Sequence, residues 1–328
     1  MRRAWPVALL ASMAVGSTLM LIVGASPGHV WWTMVERVLT SRYQLGQVLY
    51  KATGLALTGL AVSIPLDAGL FNIGGEAQLG AGIFTCALVG TALPAGTPAV
   101  IAIPACTLAA VAGGALIGWL IGVLRARRDA HEVITSIMFN AIVAGVVLVE
   151  GSAYIFQGGT TTGAPIVAGA QLPQLPLGGS AANVALFIAV GAVALVWWLR
   201  SRTTWGQAWL AVGRDPDAAR SVGISVARVQ IAVMTGAGAL AGLAATSFVM
   251  GHKHAFEQGL GAGTGLLGIV AALLGRLSPI GVGLASLLLG FLSVGGLAVG
   301  ELVPEELIEV LLGVVLLAIA VAAAWERK

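Results

Sequence analysis

The chain has 328 residues, of which 58% are hydrophobic and only 9% are charged, with a formal net charge of +3 and a mean hydropathy of +0.96. A water-soluble domain carries about 45–50% apolar and ~25% charged residues, so this composition excludes a soluble globular protein. The 46 glycines suit helices whose backbones approach closely in lipid. The composition predicts a single transmembrane domain over residues 1–328, an all-α, polytopic integral membrane helical bundle.

Apolar stretches close to the length that crosses a bilayer, about 20 residues, recur along the whole chain. Ten candidates lie near residues 4–25, 45–66, 70–92, 98–124, 132–156, 182–199, 229–250, 265–275, 279–298 and 307–325. The stretch 265–275 is too short to cross alone, and it follows a glycine-rich segment. The sequence therefore predicts about ten transmembrane helices, with one or more broken or re-entrant segments.

The distribution of basic residues predicts the orientation. The first apolar stretch exceeds the 7–15 residues typical of a signal-peptide core, which favours a retained first helix over a cleaved signal. With a cytoplasmic N-terminus, 13 of the 17 basic residues are inside. The outer four are Arg37, Arg42, Lys51 and Lys253. We therefore expect a multi-pass protein of the plasma or inner membrane, with both termini cytoplasmic, the uncharged loop 157–181 outside and the polar loop 200–228 inside.

The inner loop 200–228 contains a short helix whose ends are marked by the sequence GRDPDAARSVGIS. Asp215 suits the N-cap, Pro216 the first helical position, and Gly223 the left-handed position beyond the last turn. These residues predict about seven helical residues, or two turns. Such a helix is marginal in water. Packing against a partner is one interpretation, and an ordinary amphipathic connector is the other.

The segment FNIGGEAQ places three polar side chains at the start of an apolar stretch. Asn72 is predicted to cap a helix that begins near it, with Glu76 in the first turn and on the same face. An ionisable group at membrane depth costs about 3 kcal/mol and usually faces a cavity or a partner. Local capping is one explanation; the other is that Asn72, Glu76 and Gln78 line a translocation path or its gate. Asn140, in a later apolar stretch, allows either an interhelical hydrogen bond or a contact in that path.

Four stretches together resemble the permease subunits of ABC importers, in the family that includes branched-chain amino acid, ribose and nucleoside permeases. In chain order they are GLFNIGGEAQLGAG, HEVITSIMFNAIV, AVGRDPDAARSVGIS and GLLGIVAALLGRLSPIG. The first two are most similar to the FNIG-x-EGQ and NEVI-S-x-M-x-N stretches of the nucleoside and simple-sugar permeases. Ala77 and His131 depart from those patterns.

The resemblance implies a transport subunit for a nucleoside or simple sugar, not an enzyme, with no catalytic residue, metal or cofactor of its own. The partners it implies are an ABC ATPase subunit, a second permease (a homologous chain or a second copy), an extracytoplasmic solute-binding protein and the lipid bilayer; nucleic acid is not expected. The ATPase would couple to the inner loop through Gly213, Asp215, Pro216, Ala218, Ala219, Arg220, Gly223 and Ile224.

The residues themselves agree with a separate ATPase. The three lysines follow Tyr, His and Arg, so none completes a G-x-x-x-x-G-K-[ST] phosphate loop. The main alternative is an ion-coupled secondary transporter, which would need carboxylates near the membrane midplane, where only Glu76 and Glu150 qualify. An intramembrane enzyme is a further alternative, but the sequence contains no H-E-x-x-H motif or nucleophile–base pair.

The predicted orientation can be tested with single introduced cysteines. Ala218→Cys should react with a membrane-impermeant maleimide only after the cytoplasmic face is exposed, because loop 200–228 is predicted to be inside. Gln174→Cys, in the predicted outer loop, should react in intact spheroplasts and serves as the matched control. Labelling of Ala218→Cys from the outer face would contradict the orientation.

Overall fold

The computed structural model describes residues 4–156 and 160–304, together with residues 310, 313 and 314. Apart from those three residues, the predicted span 307–325 lies outside the described residues, as do the extreme termini. The helices are α1 (Ala4–Ile22), α2 (Pro27–Thr40), α3 (Arg42–Asp67), α4 (Gly75–Ala92), α5 (Ala99–Arg128), α6 (Glu132–Tyr154), α7 (Ala185–Arg202), α8 (Thr204–Arg214), α9 (Pro216–Ser221), α10 (Val226–Leu243), α11 (Thr264–Leu274) and α12 (Pro279–Ala298). A π-helix, Thr246–Lys253, follows α10.

The number of membrane spans differs from the sequence prediction. Within the described residues, six helices are long and apolar enough to cross a membrane: α3, α5, α6, α7, α10 with its π-helical extension, and α12. A seventh span results if Met13–Ile22 and Pro27–Thr40, whose axes are bent by 114° relative to each other, form one broken span. The prediction of about ten spans is therefore not confirmed.

Two predicted spans form helices outside that group. The 18 residues of α4 include Glu76 and Gln78, which lower its hydropathy. The 11 residues of α11 agree with the prediction that 265–275 is too short to cross alone. Both helices are nevertheless packed against the long helix α3.

A small sheet on the predicted outer side departs from the all-α prediction. Strands β1 (Thr162–Pro165) and β2 (Ala255–Glu257) pair antiparallel, with Thr162 opposite Glu257. The rings of Phe156 and Phe84 lie 5.6 and 6.1 Å from that of Phe256 on β2. Part of the predicted outer loop 157–181 thus pairs through its backbone with residues 255–257. The composition of the loop does not indicate this pairing.

Helix α3 is the centre of the bundle. Its residues from Ala52 to Pro65 are all buried, because α7, α10, α11 and α12 surround it. Small residues permit this close packing: a Cβ atom at Gly59 would lie 2.7 Å from Cγ1 of Val282, and one at Gly268 would lie 2.7 Å from Oγ1 of Thr58. The central helix therefore depends on glycines in itself and in its neighbours.

Helices α5 and α10 pack along a seam of glycines. A Cβ atom at Gly114 would lie 2.2 Å from the carbonyl oxygen of Gly238, and one at Gly118 would lie 2.1 Å from that of Met234. A Cβ atom at Gly242 would lie 2.2 Å from the carbonyl oxygen of Ala110. No methyl group fits at these distances, so the seam explains part of the high glycine content.

We predict that Gly118→Ala lowers the free energy of unfolding by about 1–3 kcal/mol, because the new methyl group must push α5 and α10 apart. The matched control is Gly236→Ala, since a Cβ atom at that position in α10 would have nothing within 4 Å. Thermal unfolding of the purified protein in detergent compares the two variants. Equal midpoints would contradict the close packing of the seam.

Candidate functional site

A buried pair of amide side chains precedes and enters α4. Asn72 Nδ2 donates to Gln78 Oε1 at 3.0 Å, and Gln78 Nε2 donates to Asn72 Oδ1 at 3.1 Å. Asn72 also donates to the carbonyl oxygen of Ala61 on α3 and accepts from the backbone N–H of Gly74. Both side chains are fully buried. The pair ties the start of α4 to α3.

The prediction that Asn72 is the N-cap of this helix is wrong. Gly74 occupies that position and α4 begins at Gly75, so Asn72 lies outside the helix and does not share a helical face with Glu76. Its side chain is directed to the carbonyl oxygen of Ala61 instead. Glu76 does lie in the first turn, as predicted.

Asn140 on α6 contacts the same turn of α4 through backbone groups. Its Oδ1 accepts from the N–H of Ala77 at 3.0 Å, and its Nδ2 donates to the carbonyl oxygen of Ile73 at 3.1 Å. The interhelical hydrogen bond expected of Asn140 is therefore confirmed, with backbone partners. It satisfies one of the free N–H groups at the start of α4.

The Glu76 carboxylate accepts a hydrogen bond from a second helix, α11. Oε1 accepts from the N–H of Leu266 at 3.1 Å, and the backbone of Gly263 and Gly265 also interacts with the carboxylate. The backbones meet closely, since a Cβ atom at Gly265 would lie 2.5 Å from the backbone nitrogen of Glu76. The first turns of two helices thus meet at one carboxylate, where both helix dipoles favour negative charge.

This junction lies well inside the bundle. The hydroxyl of Thr58 on α3 is 3.0 Å from the carbonyl oxygen of Thr264, the first residue of α11. Thr58 is about 14 Å from the Asp67 end of α3 at 1.5 Å per residue. Helices α4 and α11 therefore both begin alongside α3 rather than at its end.

A cavity of about 300 Å³ opens beside the junction, lined by α4, α6 and residues 256–262. Glu76, Asn140, Glu257 and Gln258 contribute polar side chains to its wall, and the rest is mainly apolar. Of the four residues predicted for a path or gate, Glu76 and Asn140 line this cavity. Asn72 and Gln78 are buried behind it.

A second cavity of about 310 Å³ lies on the other side of residues 257–262. Tyr50, Lys51, His252 and Lys253 contribute to its wall. The dividing segment has glycines at positive φ, among them Gly259 at +82° and Gly261 at +77°. A thin segment with special backbone geometry thus separates two cavities.

The short inner helix has the ends that the sequence predicts. The carboxylate of Asp215 accepts from the N–H groups of Asp217 and Ala218 at 2.9 and 3.0 Å. Pro216 is the first helical residue and Gly223 has a φ of +87°. The helix covers six residues, Pro216–Ser221, rather than about seven.

Among the other predicted coupling residues, Ala219 is buried, whereas Ala218 and Arg220 are exposed. Ile224 donates its N–H to the carbonyl oxygen of Ala219 at 3.0 Å, which closes the C-terminal end of α9. Val222, next to Gly223, is 75% exposed. An open groove beside α9 is lined by the end of α5 and the start of α10, with Arg125 and Arg220 in its wall.

The inner loop is attached to the end of α3. Arg200 Nε and Nη2 donate to the two carboxylate oxygens of Asp67 at 2.6 and 3.2 Å. Gly213 packs directly on the same turn, since a Cβ atom there would lie 2.0 Å from the carbonyl oxygen of Asp67. Gly213, a predicted coupling residue, therefore lies against the membrane bundle.

A second attachment involves Glu132, the first residue of α6. Its Oε1 accepts from the N–H of Phe71 at 3.4 Å, a long hydrogen bond. Its Oε2 lies 3.2 Å from Nε of Arg125, an ion pair without hydrogen-bond geometry. Arg125 also forms an ion pair with Asp129 at the end of α5.

The sequence analysis assigned no role to Asp67, Glu132, Arg200 or Thr58. The first three are charged residues at the inner ends of apolar stretches, and that position is the signal that could have drawn attention to them. Arg200 and Phe71, which bind Asp67 and Glu132, are distant from them in the chain, and no local pattern indicates these contacts. No group of three or more His, Cys, Asp or Glu side chains that could hold a metal occurs in the described part of the chain.

Comparison with known proteins gives one family and several relatives. The family model described as branched-chain amino acid transport system / permease component matches residues 44–320. The chain is 35% identical to the glucose ABC transporter permease protein TsgB13 of Haloferax volcanii, over 87% of this chain and 78% of that one. It is 33% identical to the guanosine ABC transporter permease protein NupP of Bacillus subtilis (88% and 83%) and 30% identical to the nucleoside ABC transporter permease protein NupB of Lactococcus lactis (87% and 81%).

The buried amide pair predicts non-additive effects on stability. Asn72→Ala and Gln78→Ala should each leave a buried partner without its hydrogen bonds, at a cost of about 1–3 kcal/mol. The double variant should cost less than the sum of the two, because it leaves neither amide side chain buried without the other. Thermal unfolding in detergent measures all three. Strict additivity would show that the two side chains do not act as a pair.

Proposed function

Because the chain belongs to the family of permease components of branched-chain amino acid transport systems, we propose that it is the membrane-spanning subunit of an ATP-driven importer. In this proposal a separate ATPase subunit hydrolyses ATP on the cytoplasmic side, and this chain moves the solute. The three relatives described above are each named as ABC transporter permeases, which supports the assignment.

The observation that carries the proposal is the exposed α9. This six-residue helix is capped by its own Asp215 and is anchored by the buried Ala219, while most of its surface is exposed. Val222 exposes an apolar side chain on a loop predicted to lie in water. A helix of six residues is marginal on its own, so a contact with a protein partner on its exposed side would stabilise it. We propose that the ATPase docks here, on the residues from Gly213 to Ile224.

The cavity beside Glu76 is proposed as part of the translocation path. Its volume of about 300 Å³ lies at the lower end of the range of small-molecule sites, about 300–1,000 Å³. Two carboxylates and two amides in a mostly apolar wall can exchange hydrogen bonds with the hydroxyl groups of a neutral solute. Together with the relatives named for glucose, guanosine and nucleosides, this supports a nucleoside or a simple sugar.

The remaining partners follow from the same assignment. We propose a second permease, either a homologous chain or a second copy, and an extracytoplasmic binding protein that delivers the solute. Helix α6 exposes a broad apolar face, including Ile137 and Val149, which suits lipid or a second permease. The ion-coupled alternative is disfavoured, because Glu76, its main candidate carboxylate, already accepts backbone hydrogen bonds from α11.

Uptake by the reconstituted complex tests the proposal. Proteoliposomes should accumulate radiolabelled guanosine or glucose when ATP is supplied on the cytoplasmic side, and an ionophore should not abolish that uptake. Excess leucine should not compete. ATP-independent uptake that follows an ion gradient, or competition by leucine but by neither nucleoside nor sugar, would overturn the assignment.

The role of Glu76 gives a sharper comparison within the same assay. Glu76→Gln should retain part of the uptake, because an amide oxygen can still accept from the N–H of Leu266. Glu76→Leu should lose uptake, since it removes the acceptor and the polar wall. Glu150→Leu is the matched control, because Glu150 is exposed on α6 and lies outside the cavity. Equal activity of Glu76→Leu and Glu150→Leu would remove Glu76 from the path.

A further inference from the structure

We infer that residues 68–74, which connect α3 to α4, transmit movement of the inner loop to Glu76, and that Asp67 and Glu132 are the positioning residues that hold this connection. The inference rests on the proposed function, since it assumes an ATPase that moves α9. We call residues 68–74 the connecting segment.

The first attachment joins the connecting segment to the inner loop. The side chain of Asp67, immediately before the segment, is 9% exposed and its two oxygens bind Arg200 at 2.6 and 3.2 Å. A two-point contact of this kind fixes direction as well as distance. Arg200 lies at the end of α7, and a tight corner connects it to α8: a Cβ atom at Gly206 would lie 2.1 Å from the carbonyl oxygen of Leu199.

A backbone contact reinforces this attachment. Gly213, at the end of α8, packs against the carbonyl of Asp67 and is close to Gly69 in the connecting segment. Gly69 has a φ of +76°, a backbone conformation that residues with a side chain rarely adopt. Only Asp215 and Arg214 separate Gly213 from the first residue of α9. A displacement of α9 therefore reaches the connecting segment through two residues of backbone and one van der Waals contact.

The second attachment holds the segment from the opposite side. Glu132, whose side chain is 11% exposed, accepts from the N–H of Phe71 and lies beside Arg125. Arg125 also lines the groove that α9 borders through Pro216 and Arg220. Both carboxylates that hold the segment are thus paired with arginines: Arg200 at the end of α7, which packs against α8, and Arg125 on α5, which lines the groove beside α9. A docked ATPase could move either arginine together with the helix.

The other end of the connecting segment leads into the cavity. Asn72 joins it to Ala61 and Gln78, and Ile73 accepts from Asn140. Three residues after Ile73 comes Glu76, which holds the N-terminus of α11. The connection from α9 to the cavity is therefore continuous in contacts, and its middle part is non-helical backbone that can change conformation without breaking a helix.

The number of solute molecules imported per ATP hydrolysed tests this inference in the full reconstituted complex, with radiolabelled guanosine and glucose as probes. Asp67→Asn and Glu132→Gln keep the side-chain shape but remove the charge, and each should lower this ratio about fivefold or more while ATP hydrolysis continues. The control is Glu301→Gln, which removes an ion pair with Arg37 on the predicted outer side and should leave the ratio unchanged.

A merely structural role would lower uptake and ATP hydrolysis in parallel with the amount of folded complex, and that result would overturn the inference. Exchange of the charges in the double variant Asp67→Arg/Arg200→Asp should restore most of the ratio that either single variant loses; failure of rescue with a folded complex also counts against it.

Gly223→Val, which strains the end of α9, distinguishes a failure of this inference from a failure of the proposed function. If it uncouples the complex while Asp67→Asn and Glu132→Gln do not, the inference fails and the proposed function stands. Absence of any ATP-driven uptake by the unchanged complex would refute the proposed function itself.

Discussion

Two helices of this protein begin within the helical bundle, alongside α3, and free N–H groups of their first turns are hydrogen-bonded by side chains of other helices. These hydrogen bonds account for the polar side chains at the centre of an otherwise apolar bundle. Asn140 binds the first turn of α4, and Glu76 binds the first turn of α11. The polar groups are therefore a condition of the fold, and the cavity beside them arises where the two helix starts leave space.

The glycines allow the helix backbones of this arrangement to approach one another closely. Short interior helices leave little side-chain volume for packing, so their backbones must approach neighbouring backbones directly. Gly265 lies against Glu76, and Gly268 lies against Thr58. Hydrogen bonds across these contacts need such short distances, so the polar centre and the small residues support each other. A bundle with larger side chains at the junction could not bring one carboxylate to the starts of two helices.

The features that could be predicted from the sequence are those whose partners are near in the chain. The ends of α9 depend on Asp215, Pro216 and Gly223, which act within a few residues of one another, and the structure agrees with the prediction there. The apolar stretches predicted most helices, because hydrophobicity is summed over a window. Asn72 was misassigned because α4 begins three residues later, at Gly75, and the Oδ1 atom of Asn72 accepts from Gly74 and from the side chain of Gln78. Arg200, which binds Asp67, and Phe71, which donates to Glu132, lie 133 and 61 positions away from them, and a single sequence contains no local sign of these contacts.

The start of α11 also bears on how the chain is assembled in the cell. Its N-cap is Gly263, which provides no side-chain acceptor, and the acceptor comes from Glu76, 190 positions earlier. At 11 residues, α11 is also shorter than the about 20 needed to insert as an independent span. During synthesis the Glu76 carboxylate therefore lacks these donors until the last fifth of the chain is made. A fragment that ends before residue 264 would leave Glu76 without its hydrogen bond to α11.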